Sequence, residues 1–399
     1  MRVCALMLAS CLLAAPAVAV WFPLSSGTAT QLDAVCFPVD VTTGYAVGMN
    51  GLILKTTNGG VTWDSLHGQH PGQQMAVQFP MDPMTGYVVA SGGKITKTTD
   101  GGATWVGESS GVTVDLRSIC FPIDADTGYV SGGDSGQGVI LKTTDGGASW
   151  TQLAVNPGQP ITTVDFPRDA GAGFAAGWAG TLLRTTDGGN NWDVLPSGVN
   201  NDFSGLCFPD DPLTGFVAGS SGLIMKTTDG GGTWVPKPTG TGDYLASVSF
   251  PTLLAGYVAG ASGAVYKSTD QGESWFAEST GTSKFLWSIC FPVDEQTGYA
   301  VGTNGTIIKT TDGGMLDVTE AGSEARLAAN VPSVVRSVLF LPEASGHQPQ
   351  PASLLDISGR KVLSLRPGAN DVSRLAPGIY FCVLSDRGNI VNRKVVVAR

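Results

Sequence analysis

Hydrophobic and polar positions alternate in short runs along this chain, and the runs return on a fixed beat. Leu116-Arg117-Ser118-Ile119-Cys120-Phe121 alternates with the two-residue period of a half-buried strand. Pro122-Ile123-Asp124-Ala125-Asp126-Thr127-Gly128 then reads as a turn, because proline removes a ladder donor and glycine is free to take positive φ. The pattern predicts further strands over 129–132, 139–143 and 150–153. Four short strands joined by three tight connections make one small antiparallel sheet.

The same sentence is written seven times. Its core is K-T-T-D-G-G-x-T-W, and its acidic position falls at Asn58, Asp100, Asp145, Asp187, Asp229, Asp270 and Asp312, with steps of 42, 45, 42, 42, 41 and 42 residues. A phenylalanine recurs in step at Phe37, Phe79, Phe121, Phe166, Phe208, Phe250 and Phe291. A strand-rich repeat of about 40 to 45 residues, punctuated by glycine, is the size of a four-stranded propeller blade. The predicted fold is all-β: a seven-bladed β-propeller over 20–316, followed by a linker over 317–330 and a small C-terminal β-sandwich over 331–399. Blade seven loses the pattern at Met315-Leu316, while Trp21 precedes Phe37 by 16 residues as Trp105 precedes Phe121. The N-terminal strand is therefore predicted to complete blade seven and close the ring, leaving no free sheet edge between the termini.

Within each repeat, S/T-x-D-x-G-x-S/T-W resembles the Asp-box of sialidase-like propellers. A short carboxylate can accept backbone N–H groups in a turn, glycine permits the left-handed kink, and tryptophan lids the hairpin. Seven equivalents, one of them Asn58, argue for a structural staple rather than catalysis. The basic ring Lys55, Lys97, Lys142, Arg184, Lys226, Lys267 and Lys309 is predicted to pair with local carboxylates or backbone carbonyls. The aromatic ring Tyr45, Tyr87, Tyr129, Phe174, Phe216, Tyr257 and Tyr299 is assigned to the core.

Variation among the copies concentrates on the face carrying the turns between second and third strands and the connections between blades. Four residues before the phenylalanine the copies read Asp33, Met75, Arg117, Thr162, Ser204, Ala246 and Trp287. Two residues earlier they read Gln31, Gln73, Asp115, Pro160, Asp202, Tyr244 and Phe285. The candidate binding residues on this rim are Arg117, Asp115, Asp134, Trp178, Tyr244, Phe285 and Trp287, a platform suited to a sugar or a peptide. Residues 133–138 add the one long insertion, in blade three. Glycoside hydrolysis needs two carboxyls about 5 to 10 Å apart, for which Asp115 with Asp134 is the best candidate. A sialidase needs three convergent arginines, and Arg117, Arg168 and Arg184 fall on different parts of the blades. No catalytic residue, metal or cofactor is assigned.

Composition narrows the setting. Met1-Arg2, an apolar run over 3–18 and the triplet Ala17-Val18-Ala19 predict a secretory signal peptide over 1–19. Leu8-Ala9-Ser10-Cys11 resembles a bacterial lipobox, but the apolar stretch before Cys11 is short and continues beyond it, which argues against lipidation. No later segment reaches the roughly 20 apolar residues of a membrane-spanning helix. A net charge of −10 with 14% charged residues offers no basic stripe for nucleic acid. Cys36, Cys120, Cys207 and Cys290 share one repeat position, read as buried thiols, and only Cys36 and Cys290, in the blades that meet at closure, could approach each other.

Two resemblances extend this reading. Gly44-Tyr45-Ala46-Val47-Gly48 and Gly51-Leu52-Ile53-Leu54-Lys55-Thr56-Thr57-Asn58-Gly59-Gly60, with the repeat over 21–314, resemble the photosystem II assembly and stability factor family. That implies a seven-bladed propeller; the arginine-rich patch by which photosynthetic members are thought to dock is lacking here. Leu355-Asp356-Ile357-Ser358-Gly359-Arg360-Lys361-Val362 and Leu375-Ala376-Pro377-Gly378-Ile379-Tyr380-Phe381 are similar to type A sorting domains of type IX secretion. This implies delivery to the cell surface or medium, with the secretion machinery as a partner. The expectation is a secreted, non-enzymatic propeller binding a glycan or protein through its rim; the alternatives are a surface polysaccharide hydrolase and a periplasmic assembly factor for a membrane complex.

Overall fold

The computed structural model describes residues 21–314 except 68–69, 156 and 168–170, and, between 333 and 397, all but 336–337, 342–351, 356–359, 367, 373, 377 and 387–388. The chain divides into two compact units, residues 1–317 and 318–399. The expected signal peptide, Cys11, the linker and Arg168 lie outside the described residues. In the C-terminal unit, Ser333–Val335, Asn389–Val397, Gly378–Asp386, Ala352–Leu355 and Lys361–Leu365 form, in that order, a five-stranded sheet. Val338–Leu341 and Gly368–Asp371 form a separate pair.

The first unit is a seven-bladed propeller of four-stranded antiparallel sheets. Blade three runs Leu116–Cys120, Gly128–Asp134, Gln137–Thr143 and Thr151–Gln152. The first strands are innermost and touch around the ring: Val164 N donates to Ser118 Oγ at 3.5 Å, Ile289 N to Ser247 Oγ at 3.3 Å and Val35 N to Ser288 Oγ at 3.4 Å. Second strands such as Gly44–Gly48 are buried along their whole length, sandwiched within and between blades. Gly128 is dictated by its neighbour, since a Cβ there would stand 2.5 Å from the Phe121 ring.

Each blade is bolted to the next by aromatic stacking. The Tyr45 ring stacks on Phe79 of the following blade at 4.0 Å, and Phe79 meets Trp105 edge-on at 6.1 Å. All seven interfaces repeat this, with stacking distances from 3.7 to 4.4 Å. The basic ring completes the bolt: its partner is a backbone carbonyl, one of the two kinds expected, but it belongs to the next blade and is not local. Lys97 Nζ reaches into the next blade and donates to Gly146 O at 2.7 Å, where Tyr87 Oη also donates at 2.8 Å. Packing consecutive blades face to face puts the third strand of one over the Asp-box of the next, so the long lysine stem bridges them.

The Asp-box works as predicted. Asp100 Oδ1 accepts Thr104 N at 2.8 Å, Asp100 Oδ2 accepts Thr104 Oγ1 at 2.6 Å, and Thr98 Oγ1 donates to Asp100 while receiving Gly102 N. Gly101 and Gly102 take φ of 68° and 83°, open to glycine at no steric cost. Asn58 reproduces the bonds to Thr56 and Thr62 in blade one.

Closure also follows the expectation. Phe22–Leu24 pairs antiparallel with Ile307–Thr310 as the outer strand of blade seven. Trp21, fully buried, meets Phe291 edge-on at 5.9 Å, in the place the Asp-box tryptophan holds in the other blades. Tyr299 then stacks on Phe37 at 3.9 Å and Lys309 Nζ donates to Gly59 O at 2.9 Å, bolting blade seven to blade one.

The repeated cysteines are free thiols. They share a task with the residues that replace them: Gln78 Oε1 and Asp165 Oδ2 accept the N–H of the next blade's phenylalanine, Phe121 at 2.9 Å and Phe208 at 2.7 Å. Cys36, Cys120, Cys207 and Cys290 face Phe79, Phe166, Phe250 and Phe37 in the same way.

Candidate functional site

Every inner strand carries a break in register at one position. Leu116 opposes Gly132 but Ser118 opposes Ser131, so Arg117 has no partner in the ladder. The same bulge isolates Asp33, Met75, Thr162, Ser204, Ala246 and Trp287 in the other six blades. These are the residues that vary most among the copies. A bulge adds local twist and re-aims the extra side chain, and sevenfold repetition arranges the seven side chains around one end of the ring of inner strands. The frame is constant while the chemistry on it changes from blade to blade.

Each bulge residue is tied to its surroundings by different means. Arg117 lies over the Trp178 ring, 5.5 Å from its centre, and pairs with Asp115 at 3.5 Å. Thr162 Oγ1 donates to Phe203 O of the next blade at 2.7 Å. Ser204 hydrogen-bonds Tyr244, whose ring sits 5.9 Å from Phe285, and Phe285 stacks on Trp287 at 3.9 Å. Asp33 Oδ1 accepts Gln31 Nε2 at 2.6 Å and Gln73 Nε2 of blade two at 3.1 Å. Burial pushes the Asp33 carboxyl up to about 6, against the lowering effect of the two glutamines.

The expected single platform resolves into two groups. Tyr244, Phe285 and Trp287 form one half-buried aromatic strip across blades six and seven, and Arg117 with Trp178 forms a cation–π pair across blades three and four. Asp115 and Asp134 are engaged by the scaffold rather than presented as a pair. Asp115 Oδ1 accepts Gly92 N at 3.1 Å, and Asp134 Oδ1 accepts Asp115 N at 3.4 Å. Residues 133–138 extend the blade-three hairpin, where Asp134 pairs with Gln137, in place of the 3-10 turn used by the other blades. Arg184 lies over Phe174 in the basic ring, in a different blade from Arg117. Among the described residues no group of three or more His, Cys, Asp or Glu is placed to hold a metal.

Sequence reasoning did not select Asp33, Gln31 or Gln73 as candidate site residues. The available signal was that Asp33 is the only carboxylate among the seven copies at the bulge position. An open recess of about 460 Å³ where blades seven and one meet is lined by Gln31, which bonds Asp33, and by Met49, Asn50 and Asn304 among others.

A family model described as photosynthesis system II assembly factor YCF48 matches residues 72–192 and, in a second register, 159–283. The chain belongs to the YCF48 family. A solved structure described as YCF48 bound to D1 peptide is 18% identical, with a TM-score of 0.61 over 73% of this chain and 97% of that one. YCF48 from Cyanidioschyzon merolae is 19% identical, with a TM-score of 0.61 over 73% and 98%. The WD40 propeller domain of Doa1, 13% identical with a TM-score of 0.60 over 73% and 96%, shows how widely the architecture is shared. No curated protein matches. At these identities the structural likeness establishes the propeller, and the family match rests on the repeat sequence. Among the described residues of this YCF48-family chain, no helix is long and apolar enough to cross a membrane.

Proposed function

We propose that this chain is a non-enzymatic propeller that binds a peptide segment of a protein partner on its bulge-bearing face, as an exported assembly factor or surface adaptor. The observation that carries this reading is the ring of seven bulges: identical backbone devices present Asp33, Met75, Arg117, Thr162, Ser204, Ala246 and Trp287. A face built for varied side-chain contacts on a rigid frame suits recognition rather than bond-making. Three features support a peptide over a sugar or a reaction. The family relative's structure is described as holding a peptide. The best-placed carboxylates, Asp115 and Asp134, are spent on backbone N–H groups. The strip of Tyr244, Phe285 and Trp287, with Ser204 bonded to Tyr244, runs across two blades and is long enough for side chains of an extended segment. The signal peptide expected over 1–19 and the sorting-type tail expected over 331–399 support a site of action outside the cytoplasm, at the cell surface, in the medium or in the periplasm.

The test is selection of a displayed library of random twelve-residue peptides on the full chain, beside a glycan array and a Trp178→Ala/Tyr244→Ala/Trp287→Ala variant. Peptides retained by the native chain and lost by the variant are the expected result. Glycan binding lost by the variant would replace the peptide with a sugar, and no rim-dependent binding of either kind would end the reading. Fractionation of the source cells, with the tail present or removed, tests the compartment.

A further inference from the structure

We propose that the mouth of the propeller between blades seven and one is a pocket for one cationic side chain, arginine or lysine, of the partner peptide, with Asp33 as counter-ion and Trp287 as wall. This rests on the peptide-binding reading and names the chemistry that the face selects.

The inner strands of blades seven and one lie side by side, joined by the hydrogen bond from Val35 N to Ser288 Oγ at 3.4 Å. Asp33 and Trp287 immediately precede the two halves of that contact, Asp33 two residues before Val35 and Trp287 one residue before Ser288. Both are bulge residues, at equivalent positions of neighbouring blades. Met75, the bulge residue of blade two, follows Asp33 on the other side. The ring therefore presents a carboxylate between an indole and a thioether.

Asp33 is the one bulge carboxylate, and its needs are half met. Oδ1 accepts two amide N–H groups, from Gln31 and Gln73, while Oδ2 is buried without a hydrogen bond. An orphaned carboxylate oxygen carries a cost that a donor arriving with a ligand removes. No cation pairs with Asp33 among the described residues. The cation of the same ring, Arg117, is neutralised by Asp115 and covered by Trp178, so it neither satisfies Asp33 nor repels an incoming positive charge. Carboxylate plus aromatic face is the combination that holds a guanidinium or ammonium: the acid supplies charge-assisted hydrogen bonds and the ring supplies a cation–π contact. Trp287 is held in place by its stack on Phe285 at 3.9 Å. Gln31, a partner of Asp33, also lines the open recess with Met49, Asn50 and Asn304, which offers room for the flanking peptide backbone.

The test uses synthetic pools of random hexapeptides with one central position fixed as arginine, lysine, citrulline, leucine or glutamate. Each is measured for affinity to the full chain, to Asp33→Asn and to the triple aromatic variant above. The arginine and lysine pools are expected to bind about tenfold tighter than the citrulline pool, the ordinary worth of a charge-assisted hydrogen bond, and to lose that margin on Asp33→Asn. Citrulline keeps the size and planarity of arginine but exchanges one nitrogen for a carbonyl oxygen and carries no charge, and lysine checks the charge with a different donor geometry, so the native chain alone decides the point even if a variant misfolds. Equal binding of all pools, still dependent on the aromatic rim, would overturn the cation pocket and leave peptide binding standing. Absence of any rim-dependent binding would overturn both.

Discussion

Replacing Trp21 by alanine should weaken the propeller at its seam, because the ring is closed by non-covalent contacts alone. Trp21 is fully buried, belongs to one apolar cluster with Tyr257, Leu286, Ile289 and Ile308, and meets Phe291 edge-on. A buried tryptophan removes about 200 Å² from water, which at roughly 25 cal/mol per Å² comes to about 5 kcal/mol. The range for buried aromatic-to-alanine changes is about 3–5 kcal/mol, so we expect a loss of about 4 kcal/mol. The change also loosens Phe22–Leu24, whose pairing with Ile307–Thr310 is only three residues long. Trp105→Ala is the internal control: it removes the same kind of edge contact, to Phe79 at 6.1 Å, from a hairpin whose two strands are joined through a short loop. Both variants should lower the calorimetric melting temperature. Only Trp21→Ala should also raise the hydrogen-exchange rate of Ile307–Thr310 well before global unfolding. A Trp21→Ala chain less than about 1 kcal/mol below native, or with unchanged exchange in that strand, would refute closure at the N-terminal strand as a source of stability.

Other consequences are as direct. Burial pushes the Asp165 carboxyl up to about 6 even though Phe208 and Phe166 N–H groups favour its charge. Since the unfolded chain ionises it near 4, its contribution is most favourable below about pH 4 and is lost as pH rises to about 6. Asp165→Asn, which keeps an acceptor for Phe208 N, should therefore raise the melting temperature at pH 8, by roughly 1–2 kcal/mol of stability, and leave it unchanged at pH 4; a loss at pH 8 would show that the charge is needed. Bonds from Ser149 and Thr143 hold the Asp145 carboxyl down at about 2, so its stabilisation is present above about pH 4 and disappears as pH falls through 2. Asp145→Ala should melt earlier than native at neutral pH, and Asp145→Asn should come close to native, as Asn58 does in blade one; equal melting of all three would deny the staple. Burial holds the Cys36 thiol up at about 11 and raises those of Cys120, Cys207 and Cys290 as well. In a Cys4→Ser/Cys11→Ser/Cys382→Ser background, Ellman's reagent should react with these four thiols only after denaturation; rapid labelling of the native chain would contradict their packing.

Much of the fold was legible because its period is carried by residues with few substitutes, such as Asn58 for the aspartate of the box. The turn keeps glycine at its second positive-φ position, though Gln271 takes φ of 62° at the first in blade six, the box needs a short side-chain acceptor, and the phenylalanine needs a glycine beneath it. These requirements leave a mark in every repeat, and even closure could be read, from the spacing of Trp21 to Phe37. The partner of the basic ring could not. Lys97 and Gly146 lie far apart in sequence, and only the packing of one blade on the next brings them together. The rim showed the same division. Variability marked the position of Arg117 and Trp287, but nothing linear separated Trp178 from the strip of Tyr244, Phe285 and Trp287, or showed Asp115 and Asp134 turned toward backbone donors.

The sequence by itself determined the repeat, the number of blades, the local chemistry of each turn and the strand that closes the ring, because all of these depend on neighbours a few residues away or on the count of copies. Tertiary structure alone decided which blade each lysine and tyrosine grips, that each variable residue sits on a bulge, and which of the varied side chains stand in neighbouring blades. Those outcomes depend on the register between strands and on blades meeting side by side. Asp33 and Trp287 stand 254 residues apart in the chain and become neighbours only when the ring shuts.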